Sequence, residues 1–80
     1  MIRMGKESRK TPEEVLEKAE AFFGPGGVGL ELRDRDACHI SLEGGGGFVT
    51  VETCASNGHT QVDVSSREWE QYAREFVGRL

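Results

Sequence analysis

Eighty residues carrying a net charge of −4 fit one domain, and a chain of this size buries only about 60–65% of the surface its unfolded form exposes. Hydrophobic residues make up 36% and charged residues 30%, and no apolar run approaches the ~20 residues that cross a bilayer. The first ten residues carry Arg3, Lys6, Arg9 and Lys10 against Glu7 alone, leaving 6 basic and 13 acidic residues in the rest, a balance that argues against nucleic acid as a ligand because phosphate contacts dominate such affinity.

Residues 1–10 show no periodicity, so a flexible basic arm is expected ahead of a single domain over 11–80. Met1-Ile2-Arg3-Met4-Gly5 lacks the apolar core and cleavage site of a secretory signal, which makes a cytoplasmic location the expectation. Thr11-Pro12-Glu13-Glu14 reads as a helix start: Thr11 caps, Pro12 suits the first position and Glu14 completes a capping box. Val15, Leu16, Ala19, Phe22 and Phe23 then follow at helical spacing. Gly24-Pro25-Gly26-Gly27 ends that helix.

Val28 to Arg33 alternates with Leu30 and Leu32 inward, and a turn is expected over Asp34-Arg35-Asp36. Cys38, Ile40 and Leu42 point inward from the next strand. Gly44 to Gly47 turn the chain, and Val49, Val51 and Thr53 point inward from the third. Asn57-Gly58 is a strong hairpin signal because both positions need positive φ, and Val62 and Val64 face inward from the fourth strand. Ser65-Ser66-Arg67-Glu68 forms a second capping-box pattern, after which Trp69, Tyr72, Ala73, Phe76, Val77 and Leu80 recur at helical spacing. The predicted fold is α+β: helix, four-stranded antiparallel meander, helix, as a two-layer sandwich with both helices on one face.

Register follows from alternation, because a one-residue slip would move core residues into water. It sets Ser41 opposite Thr50 and His39 opposite Glu52 on the outer face, then Glu52 opposite Asp63. The turn at 34–36 sets Glu31 opposite His39 and Cys38 opposite Leu32. Glu31, His39, Glu52 and Asp63 thus form one row, a candidate acid–base or divalent-metal site, since carboxylate and imidazole suit several such cations. A neighbouring row of small residues includes Ser41, Thr50 and Ser65, with Phe48 beside it, a candidate interface for a second copy or a protein partner.

The glycines of 44–47 precede a strand rather than a helix, so they do not read as a phosphate cradle. The two cysteines lack metal-ligand spacing and point to opposite faces, which disfavours a disulfide between them. The expectation is a small binding module without catalytic activity, self-associating through the helix-free face of its sheet as a homo-oligomer. The second reading is the His39 row, with a divalent metal or as an acid–base site. The third is a carrier of a small apolar ligand between the helices and the sheet.

Overall fold

A computed structural model describes residues 1–80. It contains two helices and a five-stranded antiparallel sheet: β1 (Ile2–Ser8), α1 (Pro12–Phe23), β2 (Glu31–Arg35), β3 (His39–Gly44), β4 (Gly47–Ser56), β5 (His59–Arg67) and α2 (Glu70–Gly78). Strand order across the sheet is β1-β5-β4-β3-β2.

The predicted arm of residues 1–10 and the four-stranded count are corrected by β1. Ile2 to Ser8 pair antiparallel with β5, from Ile2 opposite Ser66 to Ser8 opposite Thr60. Ile2, Met4, Lys6 and Ser8 lie opposite the inward residues of β5 and are the better-buried set of the strand. Lys6 hides this pattern in the sequence. It occupies an inward position, yet its Nζ donates to the Val77 carbonyl of α2 at 3.1 Å, where the end of a helix favours a cation.

α1 begins with a complete capping box. The Glu14 N–H donates to Thr11 Oγ1 at 3.2 Å, and the Thr11 N–H donates to Glu14 Oε1 at 3.1 Å. Both hairpins that flank β4 turn on two residues with positive φ, Gly45-Gly46 and Asn57-Gly58. Only the middle two glycines of 44–47 form the first turn, since Gly44 still pairs with Gly47. Inward pairs follow: Leu42 opposite Val49, Ile40 opposite Val51, and Val51 opposite Val64.

β2 departs from the predicted register. Glu31 lies opposite Glu43 and Leu32 opposite Leu42, and a bulge at Arg33 then brings Asp34 opposite Ser41. The turn sits at Ala37-Cys38 instead of 34–36. Asp36 fixes it there: its Oδ1 accepts the Cys38 N–H at 2.8 Å, and its own N–H donates to the His39 carbonyl at 2.9 Å. Cys38 is therefore an exposed turn residue and not part of the core. Leu32, on an edge strand with one neighbour, is 39% exposed.

α2 also starts later than the second capping-box pattern suggests. Ser65, Ser66 and Arg67 remain in β5, where Ser66 is flanked by Val49 on one side and Ile2 on the other. Pairing with two strands outweighs the local cap, which is worth about 1 kcal/mol. The chain turns into α2 through Glu68 at φ 72° and Trp69, which makes no side-chain cap. Trp69 Nε1 instead donates to the Gly44 carbonyl at 2.8 Å, fastening the glycine hairpin to the start of α2. Ser66 is left fully buried with an Oγ that has no partner. Ser66→Ala removes that unsatisfied hydroxyl, so thermal unfolding should show equal or higher stability, by up to about 1 kcal/mol.

One hydrophobic cluster holds the fold. Val15, Leu16, Ala19 and Phe23 of α1 and Ala73 and Phe76 of α2 share it with Ile40, Leu42, Val49, Val51, Val62 and Val64. Between the helices, the Phe76 ring sits 5.2 Å from Phe23 and 5.9 Å from Phe22, centroid to centroid. No helix is long and apolar enough to cross a membrane.

Candidate functional site

Strand alternation leaves a second set of side chains, opposite in phase to the core. The pairings arrange them in three rows. The middle row runs Asp34, Ser41, Thr50, Ser65, Arg3. On one side of it lie Glu31, Glu43, Phe48 and Arg67, and on the other His39, Glu52, Asp63 and Gly5. Ser41, Thr50 and Ser65 are half-buried, and Ser41 Oγ lies 3.4 Å from Thr50 Oγ1. None of the residues of these rows belongs to the core cluster. The four interface candidates Ser41, Phe48, Thr50 and Ser65 are therefore adjacent.

The four-residue charged row is not assembled as the sequence suggests. His39, Glu52 and Asp63 are consecutive across β3, β4 and β5, but the β2 register moves Glu31 to the far side of the middle row, opposite Glu43. Arg33 fills that corner, with Nε 2.8 Å from Glu43 Oε2 and NH1 3.6 Å from Glu31 Oε1. The carboxylates nearest His39 are instead Asp36, 3.4 Å from Nδ1, and Asp34, 3.8 Å from Nε2. Sequence reasoning missed both. Their signal was the Asp-x-Asp spacing ahead of the strand, where an aspartate commonly fixes a turn through its own side chain.

Donation from the Cys38 N–H holds the Asp36 carboxyl below its ordinary value of 3.8, with the His39 ring adding to the effect against partial desolvation. A depressed folded value means the carboxylate supports the turn above the ordinary range. That support is lost as the pH falls through the folded value. The carboxylate is thus committed to the turn and is a poor general base near neutrality.

No group of three or more His, Cys, Asp or Glu side chains converges so as to hold a metal ion. His59 lies beside Glu7 instead, Nε2 to Oε1 3.6 Å, at the other end of the sheet. Both cysteines are free and exposed. The space between helices and sheet is filled by core side chains, with Phe23 and Phe76 at most 1% exposed, and the depression bounded by Lys18, Ala21, Phe22 and Arg79 opens at the surface between the helices. Tyr72 is 44% exposed and lies against Trp69, 6.0 Å between centroids. No known protein-family model and no curated protein matches the chain.

Proposed function

We propose that this chain is a small cytoplasmic interaction module, without catalytic activity of its own, that associates with a second copy through its sheet. In this reading the molecule is a two-layer sandwich: α1 and α2 cover one side of the sheet, and the other side is the working surface. The observation that carries it is the middle row. Three short hydroxyl side chains, Ser41, Thr50 and Ser65, form a low strip across three adjacent strands, with Phe48 beside it. A flat strip of that kind lets another sheet approach closely, and two-fold self-association is the commonest form of assembly. A small core gains from such added burial. Two free thiols, both exposed, suit a reducing compartment.

Sedimentation equilibrium over a wide concentration series tests this. Reversible dimerisation is the expected result. Thr50→Arg sets an unpaired charge at the centre of the face, so association should weaken at least ~10-fold. The melting temperature of the dilute protein should stay within about 2–4 °C, since a change on an uncovered face costs about 0.5 kcal/mol or less. A strict monomer at every concentration would contradict the proposal.

A further inference from the structure

We infer that the second copy docks across a two-fold axis running along β4. The inference rests on the self-association proposed above and specifies its geometry. A half-turn about β4 exchanges β3 with β5 and β2 with β1, because β4 is the middle strand of the order β1-β5-β4-β3-β2. The three rows of β3, β4 and β5, and the Arg3 and Asp34 ends of the middle row, then meet defined positions of the other copy.

The charges match under that operation. Arg3 and Asp34 end the middle row on opposite edges, so Arg3 meets the partner's Asp34. Asp63 and His39 lie in one row on β5 and β3, so Asp63 meets the partner's His39. Arg67 and Glu43 lie in the third row on the same two strands, so Arg67 meets the partner's Glu43. Each contact occurs twice. Arg3, Arg67 and Asp63 make no ion pair within the chain, which leaves them available for these contacts.

On the axis itself Phe48 meets the partner's Phe48 and Thr50 the partner's Thr50. Sheets packed face to face stand about 10 Å apart with strands within about 30° of alignment. An arginine and an aspartate together span that gap. The one opposing term is Glu52, which meets its own counterpart on the axis.

The other symmetric choice is an axis across the strands, along the Ser41–Thr50–Ser65 row. It returns each strand to itself. Arg67 would then meet the partner's Asp63 and Glu43 the partner's His39, but Arg3 would face the partner's Arg3, Asp34 the partner's Asp34, and Phe48 the partner's Glu52. Like charges directly opposed are unfavourable, and an apolar ring against a carboxylate gains nothing. The axis along β4 sets three kinds of opposite-charge contact against one conflict, and the transverse axis sets two against three.

Cys54 supplies a native probe of the geometry. It is exposed, lies on β4 and belongs to the outer set, opposite Gln61. With the axis along β4 it faces the partner's Cys54 across the ~10 Å gap. With the transverse axis the two thiols stand about 27 Å apart, twice four residues at ~3.4 Å each. The experiment uses the full chain with Cys38→Ser and a bismaleimide cross-linker of about the 10 Å reach of the intersheet gap. A cross-linked dimer joined at Cys54, lost on adding Thr50→Arg, is expected.

Charge reversal is the second arm. Arg3→Glu and Asp34→Arg should each weaken dimerisation about tenfold or more, and the two together should restore it. A dimer that neither cross-links at Cys54 nor recovers in the double variant overturns the axis along β4 and leaves self-association standing. A strict monomer by sedimentation overturns both.

Discussion

Removing residues 1–8 should cost the protein most of its stability. That segment is β1, an edge strand paired with β5 along seven residues. Its loss uncovers one side of β5, including the edges of Val62 and Val64, and removes Ile2 and Met4 from the sheet. Burial of two such side chains contributes roughly 3 kcal/mol, and less where burial is partial. The Lys6 Nζ bond to the Val77 carbonyl goes with them, as does Ser8, itself only 5% exposed. Small domains have about 5 kcal/mol to lose. The urea midpoint of the shortened chain, followed by circular dichroism, should fall by about half or more. An unchanged midpoint would mean that the segment is the mobile arm that its composition suggests.

Phe76→Ala should be among the most damaging single substitutions in the helices. Phe76 is 1% exposed and closes the cluster between α1 and α2 against Phe22 and Phe23. Truncating a buried phenylalanine costs about 3–5 kcal/mol, because the cavity collapses only in part. For a domain of this length that corresponds to a fall of roughly 12–40 °C in melting temperature. Tyr72→Ala on the same helix removes a 44% exposed ring and should cost far less, about 1 kcal/mol. Differential scanning calorimetry on the two variants separates them. Equal losses would contradict the placement of Phe76 in the core and Tyr72 at the surface.

The parts of the fold that the sequence makes legible are those where two apolar strands constrain each other. Ile40 and Leu42 can face Val49 and Val51 in only one phase, and the glycine and Asn57-Gly58 turns fix the rest. β2 is different. Leu32 has a single strand neighbour, so its alternation accepts more than one register, and the Asp36 side chain decides the turn. That one local bond moves Glu31 away from His39 and takes it out of the candidate acid–base row, where His39, Glu52 and Asp63 stay consecutive. The start of α2 misleads for the opposite reason: a good local capping pattern at Ser65 to Glu68 is overridden by pairing of β5 on both sides. β1 stays hidden because Lys6 stands where an apolar residue would complete the alternation. Ser41, Phe48, Thr50 and Ser65 depend only on the well-constrained β3–β4–β5 register, and they are neighbours in the structure.

Association of two copies through the outer face of the sheet would show in amide NMR spectra of the labelled chain recorded from dilute to concentrated solution. Progressive shifts are expected at Ser41, Phe48, Thr50 and Ser65, with α1 unchanged. Spectra that do not depend on concentration, or shifts confined to α1 and α2, would contradict it.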